Sequence, residues 1–249
     1  LYTQVTPRGG LISGSSSVMA LEGWNWEDAV LLADDGIHVN FPKQVNRKWS
    51  GEEDSHVTNA NKFYSSEMLL LQRFFADAKA YCAGTVPAEK NIRFEAMRAV
   101  FNGKANLYLH ADHAKDILTA LNFAAENKIK KAVIVGGREC YKVSARLKQQ
   151  GVAVMLNRLH DLPGRPDEDV DLLYRIPAML LKDSVLFCLQ LEGDMEAMQS
   201  RNLPFNAGAA VAYGLTPEQA LAAISLNAAR ILGLDKELGT IEPGKIASL

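Results

Sequence analysis

His110 is the side chain in this sequence whose setting is most suited to chemistry. It ends the run Asn106-Leu107-Tyr108-Leu109-His110-Ala111-Asp112. Leu107, Tyr108 and Leu109 read as a short strand buried on both faces, the look of a parallel-sheet strand. Asp112 can cap a following helix in which Ile117, Leu118, Leu121 and Ala124 fall on one side. At the C-terminal end of a barrel strand, such a histidine would face the mouth where ligands bind. Taken alone, it could equally hydrogen-bond within a loop.

Other polar groups follow strand-like runs in the same way. The loop His160-Asp161-Leu162-Pro163-Gly164-Arg165-Pro166-Asp167-Glu168 carries Arg165 and is preceded by Arg158. Guanidinium groups there could clasp a carboxylate or a phosphate, although exposed arginines on loops are common without such a role. Glu192-Gly193-Asp194 places two carboxylates after the apolar run Val185–Leu191. Gly136-Gly137 follows Ile134-Val135, and Ser13-Gly14-Ser15-Ser16-Ser17 lacks the spacing of a phosphate-cradling loop, so a surface loop is expected there. His38 alternates with apolar neighbours and reads as a wall residue. His56 reads as solvated, in a polar loop over residues 43–56. Cys82, Cys140 and Cys188 are scattered, with no pairing pattern and no zinc-knuckle spacing.

These groups need elements to hold them. Residues 1–23 are strand-like and Gly/Ser-rich. A short helix is expected from Trp24 to about Asp34, a strand over Ile37–Pro42, a long helix over Asn59–Cys82 and another over Ile92–Phe101. From Asn106 onward strands and helices alternate: strand Asn106–Ala111, helix Lys115–Asn127, strand Lys131–Val135, helix Glu139–Gln149, strand Val152–Leu156, helix Val170–Leu181 and strand Val185–Leu191. Such succession implies parallel strands with right-handed helical crossovers, in a doubly wound sheet or a barrel. No GxGxxG follows any strand, which removes the main argument for a dinucleotide-binding fold.

The totals narrow the partners. Lys and Arg number 27 against 29 Asp and Glu, a net charge of -2 that argues against a nucleic-acid surface. No apolar run approaches the ~20 residues a membrane span needs. The compartment is left open. The chain opens on Leu1 and stops at Leu249 just as a strand begins, and it reads as an excised piece of a longer protein, one domain over residues 1–249.

The tail decides between the α/β architectures. Thr216-Pro217-Glu218-Gln219-Ala220-Leu221 is a capped helix start, followed by Asn227-Ala228-Ala229-Arg230-Ile231-Leu232-Gly233-Leu234 and Leu238-Gly239-Thr240-Ile241-Glu242-Pro243-Gly244-Lys245. This resembles the C-terminal signature of the amidohydrolase superfamily, with Ser225, Ala228 and Ser248 as departures. Pro7-Arg8-Gly9-Gly10, Gly23-Trp24-Asn25-Trp26, His110-Ala111-Asp112-His113 and Arg201-Asn202-Leu203-Pro204 resemble loops of its imidazolonepropionase-like branch.

The resemblance implies a (β/α)8 TIM-barrel type of fold, here incomplete, from about the third strand to the eighth plus a return helix. It also implies hydrolysis of a C–N bond, in an amide or cyclic amide, by water activated on a divalent metal, with Zn²⁺ the expected ion. Carried over by position, His110 and Asp194 would be metal ligands, and Asp194 would also handle protons as the catalytic carboxylate. His160, Arg201 and Asn202 would contact a small amide-type substrate. The set is short: no HxH pair occurs, no strand-four lysine or glutamate stands out beyond Glu95 on an apparent helix, and Gly136 stands where a strand-six histidine is expected. His113 could take that histidine's place. An alternative is a catalytically degenerate barrel serving binding or assembly. Open strand edges in an incomplete barrel favour a homo-oligomer.

Overall fold

The computed structural model describes residues 1–50, 55–84, 89–165, 167–192 and 196–247. The chain begins with strands β1 (Tyr2–Val5) and β2 (Ile12–Ala20), a single helical turn α1 (Trp26–Ala29) and strand β3 (Val30–Asn40). A two-stranded hairpin, β4 (Val45–Ser50) and β5 (Ser55–Ala60), leads to helices α2 (Tyr64–Ala83) and α3 (Ile92–Phe101). The alternating part comprises β6 (Asn106–Ala111), α4 (Ala114–Glu126), β7 (Ala132–Gly136), a 3-10 turn at Cys140–Val143 and α5 (Ser144–Gln150). It continues through β8 (Ala153–Leu156), α6 (Leu172–Lys182) and β9 (Phe187–Leu189). A second 3-10 segment (Glu196–Asn202) precedes α7 (Leu203–Ala212), α8 (Pro217–Ile224) and α9 (Leu226–Leu232).

Seven strands form one curled sheet in the order β1-β2-β3-β6-β7-β8-β9. β1 and β2 pair antiparallel, as do β2 and β3, whereas β3, β6, β7, β8 and β9 run parallel. This is the incomplete barrel expected, with five parallel strands rather than six and an antiparallel pair beyond them. The parallel strands separate two packing layers by residue parity. Leu107, Leu109, Ile134, Val154, Leu156 and Leu189 face the helical layer with Ile117 and Leu121 of α4. Tyr108, Val133, Val135, Ala153, Met155 and Cys188 face the inside, where Ile231 of α9 covers them. Helix α9 is thus packed on the inner face, whereas α7 and α8 join the helical layer through Ala207, Ala210, Ala220 and Ala223, and Thr216 starts α8 with a complete capping box to Gln219.

Four sequence expectations give way here. The serine run is not a surface loop but the middle of β2. Ser15 Oγ donates to Asp34 at 2.5 Å, and Ser17 Oγ accepts from the Asp34 amide at 3.2 Å, so the hydroxyls knit β2 to β3. The helix opened by Trp24 stops after one turn, because Val30–Leu32 pair with β2 across a register shift. The polar stretch 43–56 contains the β4–β5 hairpin, paired from Val45↔Ala60 to Ser50↔Ser55. The long helix begins at Tyr64 rather than Asn59, because Asn61 Oδ1 turns back to accept from the Phe63 amide at 3.0 Å.

Candidate functional site

The parallel register brings the C-terminal ends of β3, β6, β7, β8 and β9 to one edge of the sheet. In that register His38 lies opposite Tyr108, and Asn40 opposite His110. His38 and His110 both project inside, and Nδ1 of His38 lies 2.8 Å from Nε2 of His110. On its other side, Nδ1 of His110 lies 3.0 Å from Oε1 of Glu192, just beyond β9. Glu192 Oε2 accepts from Gln190 at 3.2 Å, and Gln190 also donates to Asn157 at 2.7 Å. A hydrogen-bonded chain thus crosses the mouth from β3 to the end of β8.

The chemistry of this chain follows from burial. His38 is 1% exposed and its ring stacks on Tyr108 at 4.4 Å. Burial, reinforced by His110 and opposed by Glu192, lowers its pKa to about 4, so it is neutral at neutral pH. Burial alone would raise the Glu192 carboxyl, but hydrogen bonds from His110 and Gln190 outweigh it and hold the group below the usual carboxylate range. An ionised Glu192 only accepts. The His110 tautomer that donates Nδ1–H to it keeps Nε2 as the acceptor for Nδ1–H of His38. That leaves Nε2 of His38 buried without a partner among the described residues.

Beneath this chain lies a second buried group. Tyr108 Oη donates to Asp35 at 2.6 Å, Gln4 reaches the same carboxylate at 2.7 Å, and Asn106 donates to Tyr108 at 2.8 Å and to the Ile231 carbonyl at 3.1 Å. Burial, with Asp35 next, raises the Tyr108 phenol, so it stays a donor.

The strand-six position is reshaped rather than merely vacant. Gly136 has φ +96°, and a Cβ built on it would lie 2.4 Å from Oδ1 of Asp112. Asp112 therefore closes over the site where a histidine is expected. His113 does not replace it. It is the cap residue of α4, with Nδ1 3.8 Å from Oε2 of Glu139. Glu139 itself accepts from the Ala114 amide at 2.8 Å and from Lys142 at 2.6 Å. Glu95 sits on α3 with Tyr81 and Arg98 rather than at the mouth.

Two cavities open at this edge. One of about 190 Å³ is lined by the charged side chains Asp112, Arg138, Arg158, Asp161 and Glu192 together with Gly136, Asn157 and apolar side chains that include Leu156 of β8 and Ile176 of α6. The other, about 290 Å³, is lined by Arg158, His160, Gln199, Asn202, Phe205 and Asn206. His160 and Asn202 thus share a cavity. Arg201 is exposed on the 3-10 segment, and Asp194 lies outside the described residues. His38 is the site residue that sequence reading missed. Its signal was a polar side chain at the inward phase of the buried run Gly36–Val39.

Whether these residues suit a metal ion can be tested on their own geometry. Among the described residues no three His, Cys, Asp or Glu side chains converge as a ligand set. Both ring nitrogens of His110 are engaged, one by His38 and one by Glu192. The described residues by themselves do not fit a metal centre.

Comparison with known proteins gives the setting. Residues 180–249 match the amidohydrolase family model. The chain is 34% identical over 112 residues to the imidazolonepropionase of Erwinia tasmaniensis, covering 41% of this chain and 24% of that protein. It is 46% identical over 52 residues to the imidazolonepropionase of Rhizorhabdus wittichii, covering 21% and 13%. The crystal structure of an amidohydrolase from Thermotoga maritima superposes with a TM-score of 0.82 at 26% identity, over 98% of this chain and 64% of that one. The chain spans less than two thirds of the length of each of these relatives.

Proposed function

We propose that this chain is an imidazolonepropionase-like member of the amidohydrolase superfamily and that it serves the hydrolysis of a C–N bond in a small amide or cyclic amide. The observation that carries the reading is the chain His38–His110–Glu192 at the C-terminal edge of the parallel strands, beside two cavities. Ligands of barrels bind at that edge. In this proposal Glu192 is a resident base: ionised, half-buried, and held against His110 so that it can take a proton from a group entering the 190 Å³ cavity. His110 holds Glu192 in place, and His38 fixes the His110 tautomer from behind. His160, Arg201 and Asn202 are the proposed substrate contacts, and Asp194 the proposed second carboxylate.

A metal ion, with Zn²⁺ expected, belongs to this proposal only through family membership, and it would need ligands beyond those described. A second reading has its own support. The closure of Asp112 over Gly136 favours a degenerate barrel that binds without cutting.

Metal content separates the two. The protein, purified without chelator or nickel, is analysed by plasma mass spectrometry and assayed on a panel of amides and cyclic amides. One or two equivalents of metal with amide turnover is the expected result. Near-zero metal, no uptake on addition and no turnover would overturn the hydrolase reading and leave the binding one.

A further inference from the structure

Asn157, Gln190 and Glu192 fix one another's side chains at the 190 Å³ cavity. The backbone holds two of them in place: the Asn157 amide donates to the Gly136 carbonyl at 3.3 Å, and the Gln190 amide to the Leu156 carbonyl at 2.9 Å. Between the side chains, Nε2 of Gln190 donates to Oδ1 of Asn157 at 2.7 Å and to Oε2 of Glu192 at 3.2 Å. Both amide orientations are forced. A carboxylate only accepts, so the end of Gln190 turned towards Glu192 is its NH2 group. That NH2 in turn requires the oxygen of Asn157, because a flipped Asn157 would set donor against donor. Nδ2 of Asn157 is the end left over, and it is in no hydrogen bond among the described residues. Asn157 and Glu192 line the same cavity, above an apolar floor that includes Leu156, Leu173 and Ile176. The guanidinium groups of that cavity are already committed: Asp161 lies 2.9 Å from Arg138 and 3.8 Å from Arg158. With Asp112 and Glu192 as further carboxylates there, the wall suits an uncharged acceptor better than an anion.

We propose that Asn157 is the carbonyl-binding residue of the mouth, donating from Nδ2 to the oxygen of an uncharged amide, with Gln190 as the positioning residue that turns its amide that way. This rests on the reading above that the cavity takes a small amide, and it names the donor within it. The apolar side of the amide lies on the floor, and its carbonyl carbon stands between Asn157 and Glu192. In hydrolysis, a water oxygen bonds to that carbon while its proton passes to Glu192 and the C=O π pair moves onto the oxygen. The negative charge formed there meets the Asn157 donor, which is then worth more than it was in the bound amide. When the π bond re-forms, the C–N bond breaks and the proton goes from Glu192 to the leaving nitrogen.

Titration of the full chain with 2-pyrrolidinone and with pyrrolidine-2-thione tests it, because the thione keeps the ring and replaces the oxygen by a weak acceptor. The Asn157 side-chain NH2 pair is assigned in a ¹H–¹⁵N spectrum by its absence from Asn157→Ala. The lactam should shift that pair saturably and bind about threefold to tenfold more tightly than the thione. Asn157→Ala should bind the two equally. Gln190→Met, which can donate to neither neighbour, should keep the Asn157 signals but lose most of the preference. An Asn157 pair unmoved by the lactam, equal binding of the two probes, or no saturable binding below about 100 mM overturns the inference on the unaltered protein alone. If an amide is turned over, Asn157→Ala should lower kcat by about 10²-fold or more while raising KM only about threefold. Turnover with an unmoved pair and an unchanged kcat would sink this inference alone. A shifted pair and a preference for the lactam, with no amide turned over, would sink the hydrolase reading alone.

Discussion

Asp112 and Gly136 approach each other across the ends of β6 and β7 so closely that only a residue without a side chain fits: a Cβ at position 136 would lie 2.4 Å from the Asp112 carboxylate, on a backbone with φ +96°. The absent histidine is therefore not a simple deletion. Gly136→His should gain no metal affinity, and both it and Gly136→Ala should destabilise the fold by about 1–3 kcal/mol through left-handed strain and the clash. Removing Asp112 in the same background should return the clash part and leave the strain. Chemical denaturation reads both effects, and metal uptake by Gly136→His would refute this account of the position.

His38 predicts the acid limb of stability. Unfolded, its imidazole takes up a proton near pH 6.5; folded, it resists protonation until about pH 4. Between those values the unfolded chain holds the extra proton, so stability falls as pH falls through that window, by up to about 3 kcal/mol for this group. Above pH 6.5 its contribution is constant. His38→Asn keeps a donor for Nε2 of His110 and should flatten the slope. Denaturant titrations from pH 4 to 7.5 on both proteins measure it, and an unchanged slope would show that His38 is not the group responsible.

Glu139 ties the β7 loop to the start of α4. Glu139→Ala should cost about 1–3 kcal/mol, because the Ala114 amide loses its acceptor and Lys142 its partner. Glu139→Gln should retain much of the stability by keeping the amide bond. Melting temperatures of the two variants suffice, and equal losses would mean that the charge, not the cap, matters.

Much of this architecture could be read from residue order. The alternation after Asn106 fell within about two residues of the observed elements, apart from α5, which starts at Ser144 after a 3-10 turn rather than at Glu139, because buried runs such as Ala132–Gly136 and amphipathic α4 carry their own periods. The capping box at Thr216 was equally local. What escaped was decided by distant partners. Ser15–Ser17 look like loop until Asp34 supplies the other half of each hydrogen bond. His38 looks like wall until the parallel register brings β6 alongside. Its pairing with His110 spans 72 residues, and no local pattern encodes that distance. The incompleteness at Gly136 was visible, but not that Asp112 fills the space.

The contact of Gln4 with Asp35 has a reach beyond its own strand. Asp35 anchors Tyr108, Tyr108 backs the His38 ring, and His38 leads through His110 and Glu192 to Gln190 and Asn157. The outermost strand of the sheet is thereby the first link of a continuous polar seam that ends at the cavity lined by Asn157 and Glu192. Peeling β1 away would unload that seam from its far end. The mouth would register the state of the sheet's margin without any ligand being present.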